Sequence, residues 1–157
     1  MRSATRGYMQ SFRCDAPAGA LWHALTSPDG LSVWYAQQAE IEPRPGGRYD
    51  VTTRLLGHRQ AHIDVFEPTR RLRLIYDPHR DWPPAGEHVI VEDFLIDELP
   101  RGGDGRTVVR LLGSGVPDAQ AWDLTFKRLR AAWAVSFGYL GKFLEEQGHR
   151  TLLARHA

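Results

Sequence analysis

With 157 residues the chain has the length of one domain, and its 42% hydrophobic and 25% charged residues are those of a globular protein rather than a disordered one. A single cysteine, Cys14, excludes an internal disulfide framework and a cysteine-rich zinc module. The net charge of +1 lacks the basic excess that a nucleic-acid-binding face needs.

The first residues, Met1 to Gly7, are followed by no apolar run, so neither a signal peptide nor a membrane span is expected, and the compartment is read as the cytoplasm. Tyr8 to Cys14 is rich in strand formers and predicts a first strand. Pro17 suits the first turn of a helix that carries Leu21, Trp22 and Leu25 to about Thr26, with Asp15 or Ala16 as its cap. Ser27-Pro28-Asp29-Gly30 reads as a break, and a second short helix holds Leu31, Val33, Trp34 and Tyr35. From about Glu40 the period becomes two. Tyr49, Val51, Thr53 and Leu55 alternate with polar residues in a strand entered through Pro45-Gly46-Gly47.

Further strands are expected from Gln60 to Phe66, from Leu72 to Tyr76 after the Pro68-Thr69 turn, from His88 to Leu99, and from Thr107 to Leu112. His79 to Gly86, with Trp82 and two prolines, reads as a loop, and Pro100 to Gly105 as a hairpin loop. The last element is a helix from Asp118, its cap, to Gln147, with Gly148 as its stop. Trp122, Phe126, Leu129, Trp133, Phe137, Leu140 and Leu144 fall on one face of it. A helix so aromatic on one side needs a sheet to cover it. The class is therefore α+β: a curved antiparallel sheet of about seven strands around a long C-terminal helix, with two short helices after the first strand. One domain spans residues 1–157, with its core at about 8–147 and a short tail at 148–157.

This order resembles the helix-grip fold of the START-like, or SRPBCC, superfamily. Thr26-Ser27-Pro28 with Leu31 and Trp34-Tyr35, Pro43-Arg44-Pro45-Gly46-Gly47-Arg48-Tyr49, Phe66-Glu67-Pro68 with Arg70-Arg71-Leu72, and the Gly105–Thr107 strand start with a terminal helix carrying Trp122 and Leu140 resemble the branch named for the activator of the heat-shock-protein-90 ATPase. The likeness covers about Gln10 to Glu146. It implies a cavity between sheet and helix for a small apolar or amphipathic molecule. The activators also carry a separate N-terminal domain that engages the chaperone, and 157 residues are read as leaving no room for one.

The residues offer one acid for that cavity. Pairing Ile96 with Val109 and Phe94 with Leu111 turns Ile90 and Glu92 inward and puts Asp93, Leu95, Asp97 and Arg110 outside; the opposite register would bury two unpaired aspartates. Glu92 is then either a general base or ligand anchor, or a strand-end carboxylate that is hydrated or paired with an arginine. Trp34, Tyr49, Tyr76, Phe94, Leu111, Phe126 and Trp133 are the proposed ligand contacts. Tyr76 supplies a hydroxyl to orient a ligand in apolar surroundings, and the alternative is that these side chains are solid core. His58 and His62, His79 and Asp81 lack a third ligand with suitable spacing, so no metal is expected, and no motif names a cofactor. Cys14 reads as a small buried hydrophobe rather than a nucleophile.

The function expected is binding of a small apolar ligand in the cavity. The alternatives are a cyclase- or dehydratase-like enzyme using the same cavity with Glu92, and a chaperone-accessory or protein-interaction module. A homodimer is expected to use Val135, Tyr139 and Phe143 of the terminal helix.

Overall fold

Alternation of inward and outward side chains sets the frame. In the computed structural model, which describes residues 4–100 and 106–155, seven antiparallel strands form one curved sheet: β1 (Thr5–Cys14), β2 (Ala36–Ile41), β3 (Arg48–Thr53), β4 (Gly57–Glu67), β5 (Arg71–Tyr76), β6 (Val91–Glu98) and β7 (Thr107–Pro117). Their spatial order is β1-β7-β6-β5-β4-β3-β2, so the N-terminal strand closes the sheet beside the last one. Two short helices, α1 (Ala18–Thr26) and α2 (Pro28–Trp34), follow β1, and a long helix, α3 (Asp123–Arg155), ends the described chain. The fold is the expected α+β helix-grip arrangement.

Several boundaries differ from the sequence reading, each for a local reason. Pro17 is itself the residue before α1, not a member of its first turn. The expected break between the two helices narrows to Ser27, because Pro28 to Gly30 already belong to α2. Ser27 is the N-cap of α2, its side chain accepting from the Gly30 amide, with Pro28 at the first helical position, where no N–H is needed. Ala36–Ile41 is an edge strand that the sequence reading passed over, because two glutamines and two alanines carry little strand preference. Leu55 lies in the β3–β4 turn and is exposed. The strand expected from His88 begins at Val91, and its partner β7 runs on to Pro117. Asp118 does not cap the last helix. A 3-10 turn, Gln120–Trp122, comes first, and α3 starts at Asp123. Gly148 does not stop it: the helix continues through the segment read as a tail, since one glycine without a proline behind it costs only about 1 kcal/mol. Gly102, Gly103 and Gly105 of the expected hairpin loop lie outside the described residues.

The β6–β7 register pairs Ile96 with Val109 and Phe94 with Leu111. Asp93 accordingly faces outward and takes a two-pronged hydrogen bond from Arg71, at 3.0 and 2.8 Å. The α3 stripe of Leu129, Trp133, Phe137, Leu140 and Leu144 is buried on the inner face of the sheet, joined by Trp122 from the turn before it; Phe126 is half-buried. Val135 and Tyr139 are exposed on the opposite side of α3, whereas Phe143 packs against the core.

Candidate functional site

Polar side chains meet in the middle of this apolar interior. On β4 the buried positions are Arg59, Ala61 and Ile63, with His58, Gln60 and His62 exposed. Period two therefore sends an arginine inward. On β6 the same period sends Glu92 inward. Arg59 donates from Nη1 to Glu92 Oε1 at 2.9 Å, and the two side chains are 1% and 0% exposed. Glu92 Oε2 accepts from the Tyr8 hydroxyl at 2.5 Å and from Trp133 Nε1 at 2.6 Å. Arg59 Nη1 also lies 3.1 Å from the Tyr35 hydroxyl and 3.3 Å from that of Tyr76, and the guanidinium stacks 3.9 Å above the Tyr76 ring. Three donors on one carboxylate are what a buried charge requires.

The sheet register builds this cluster. Gly113 of β7 stands opposite Tyr8 on one side and opposite Glu92 on the other. A Cβ at Gly113 would run into the Tyr8 ring, so the glycine is what lets that ring lie across β7 and reach Glu92.

Burial holds the hydroxyls of Tyr8 and Tyr76 in the neutral form: desolvation, with a contribution from the Glu92 charge, raises both pKa values well above the usual tyrosine value. Tyr35 is pushed up to about 12, by desolvation first, with Arg59 opposing. Burial alone would lower the pKa of Arg59, but Glu92 and the surrounding tyrosines raise it, so the guanidinium keeps its charge. Its Nε and Nη2 are buried and have no hydrogen-bond partner among the described residues.

Arg59 also lines a cleft of about 610 Å³ between the sheet and α3. Its apolar side is made by Leu56, Tyr76, Trp82 and Leu129, its polar side by His58, Asp77, His79 and Arg128. Trp82 is held in the 77–87 loop between His79 and Trp122, each ring 5.8 Å away.

Of the expected ligand contacts, Tyr76 lines this cleft. Trp34 borders a smaller depression of about 120 Å³ beside it and donates its indole N–H to the Ala24 carbonyl. Tyr49 donates to the Leu25 carbonyl at 2.6 Å. Phe94 packs edge-on against Trp133, and Leu111 is wholly buried. Phe126 sits between Tyr8 and the guanidinium of Arg6, 4.7 Å from its ring. None of these last four, nor Trp133, borders the cleft. Trp133 and Tyr76 are nonetheless joined, through Glu92 and Arg59. Glu92, the second residue of β6, faces inward and has an arginine partner, though it is wholly buried rather than hydrated. The sequence reading missed Arg59, Tyr8 and Tyr35. Counting back by two from Ala61 and Ile63 would have found Arg59. Among the described residues no cluster of three His, Cys, Asp or Glu side chains could hold a metal ion. Burial pushes the Cys14 thiol pKa up, away from a reactive thiolate.

Residues 15–145 match the family model described as activator of Hsp90 ATPase homolog 1-like protein. The chain belongs to this family. No curated protein matches it. Among solved structures, protein MLL2253 of Mesorhizobium loti is 22% identical, with a TM-score of 0.73 over 90% of this chain and 98% of that one. The Aha1 dimer of Colwellia psychrerythraea is 17% identical, with a TM-score of 0.71 over 89% and 96%. CalU16 of Micromonospora echinospora is 18% identical, with a TM-score of 0.66 over 96% and 90%. At these identities the likeness to the three structures is one of fold. The family likewise leaves the chemistry to the individual site. No helix among the described residues is long and apolar enough to cross a membrane.

Proposed function

We propose that the chain binds a small amphipathic molecule in the cleft between the sheet and α3. The observation that carries this reading is a charged side chain, Arg59, fixed at the wall of a cleft of about 610 Å³ whose other side is apolar. Trp82 and Leu129 give the ligand's apolar body a surface, and Tyr76 and Arg59 orient its polar end. In this reading Phe94, Leu111, Phe126, Trp34, Tyr49 and Trp133 act from behind, fixing the walls that the ligand touches. Glu92 is the counter-ion that positions Arg59, and three donors engage its two oxygens.

Thermal-shift screening of amphipathic small molecules against the intact chain tests the proposal. Compounds that raise the unfolding temperature of the wild type are expected to lose that effect in Trp82→Ala, which removes the half-buried apolar wall from a loop. Equal stabilisation of both proteins by every active compound would place binding elsewhere. Native mass spectrometry of the freshly purified protein, followed by denaturation, gives the stoichiometry and identity of any molecule carried through purification.

A further inference from the structure

A surface helix ordinarily carries charged side chains where it meets water. The outer side of α3 departs from that rule: from Ala131 to Gly141 the sequence has no charged residue. Ala131, Val135, Gly138 and Tyr139 are exposed there, Val135 to 47% and Tyr139 to 56%. At 3.6 residues per turn these four fall within an arc of about 100°. Phe143 belongs to the core instead. Val33 of α2 and Leu55 of the β3–β4 turn, both exposed, stand with Tyr139 around a depression of about 120 Å³. An exposed apolar area built by three separate elements and bounded by polar side chains is the mark of an interaction surface. The charges that bound it along the helix differ in sign. Lys127 and Arg128 precede the bare stretch and Glu145 and Glu146 follow it; all four are exposed, and none is paired with another charge among the described residues. Lys127 and Glu145 are five whole turns apart, as are Arg128 and Glu146, so the first pair shares one edge of the face and the second pair the other.

We infer that this face binds a second copy of the chain, α3 against α3 in antiparallel order, about a two-fold axis level with residues 136 and 137. A two-fold contact brings the same patch of both copies together, so the patch must complement itself. Antiparallel order meets that demand. It sets Lys127 beside the partner's Glu145 and Arg128 beside the partner's Glu146, and the two-fold repeats both pairs at the other end of the helices. Parallel order would set like charges side by side. Between the charged ends Val135 meets the partner's Tyr139, while Ala131 and Gly138 carry no side chain long enough to hold the helices apart. Lys142 falls opposite the partner's Ala131, where its stem can lie along the helix and its ammonium reach water.

Sedimentation equilibrium of the full chain over a concentration series tests this. A monomer–dimer equilibrium is expected. Val135→Glu places a carboxylate at the centre of each face and should weaken the dimer roughly tenfold or more. Lys127→Glu should weaken it as well, and adding Glu145→Lys to that variant should restore it, because the exchanged charges again face each other. All three positions are exposed, so the far-ultraviolet circular dichroism of each variant is expected to match that of the wild type. A wild type that stays monomeric throughout the series overturns the inference and assigns the face to a different molecule. A dimer indifferent to Val135→Glu overturns it by placing the interface elsewhere. A dimer that Val135→Glu breaks, but that Lys127→Glu leaves intact or Glu145→Lys fails to restore, overturns the antiparallel pairing.

Discussion

Removing one member of a buried ion pair costs more than removing both, and the core of this protein allows that to be measured. Glu92→Leu leaves the Arg59 charge in an apolar interior, along with the unanswered donors of Tyr8 and Trp133. It is expected to lower stability by about 3–5 kcal/mol in urea denaturation. Arg59→Met with Glu92→Leu replaces the pair by apolar side chains of similar size, and should recover most of that loss. A double variant no more stable than Glu92→Leu would mean that the surrounding hydroxyls, not the charges, dominate the site. Gly113 gives a second prediction at this scale. Its opposite neighbour is Tyr8, whose ring occupies the space a methyl group would need. Gly113→Ala is expected to cost about 1–3 kcal/mol. Much of that cost should vanish when the same change is made in Tyr8→Ala, a coupling that a double-mutant cycle reads directly.

At the scale of the element, α3 carries the packing, and Gly138 on its outer side carries none of it. Gly138 is exposed in mid-helix, with nothing close to where a Cβ would stand. Gly138→Ala should raise stability by about 0.5–1 kcal/mol through helix preference alone, seen as a higher Tm. The apolar stripe of this helix was readable from the sequence because its spacing of three and four residues has no competing explanation in a strand. Its start and end were not: Asp118 and Gly148 are good punctuation marks, but the 3-10 turn around the buried Trp122 and the absence of a later proline override them. The β6–β7 register was readable for the same reason that Glu92 was, since the alternative buries aspartates. Arg59 was not. It follows His58 at the start of a strand, and arginines are so rarely buried that the pattern was begun one residue late, at Gln60. Tyr8 was placed on a strand, but which face it takes depends on its pairing with β7, about a hundred residues away, and no local pattern reports that. The cleft belongs to the same class: it forms where the β3–β4 turn, the 77–82 loop and α3 converge, and each of these is unremarkable alone.

For the whole molecule, the buried tyrosines set an upper pH limit. Tyr8, Tyr49 and Tyr76 have pKa values raised well above the ordinary tyrosine value by burial, and Tyr35 is at about 12. Groups with a folded pKa above the unfolded one stabilise fully below the unfolded value, and that stabilisation is lost as pH climbs toward the folded one. Their contribution is therefore constant up to about pH 10 and then falls, each fully buried tyrosine adding about 1.4 kcal/mol of loss per pH unit. Urea midpoints should drop steeply above pH 10, with phenolate absorbance appearing together with loss of structure. Phenolate absorbance from these four residues in a protein that keeps its near-ultraviolet circular dichroism would show that the cluster opens without unfolding.

The cluster also imposes an order on manufacture. Tyr8, Arg59 and Glu92 are all made before Trp133, so a nascent chain can complete the whole sheet while α3 is still being translated. Without α3 the Arg59–Glu92 pair would lie on a sheet face open to water, where an ion pair is worth little. Folding of α3 onto the sheet dries the pair and supplies the last donor to Glu92 in one event. The last element of the chain to be made is thus the one that turns a charged patch of sheet into an interior.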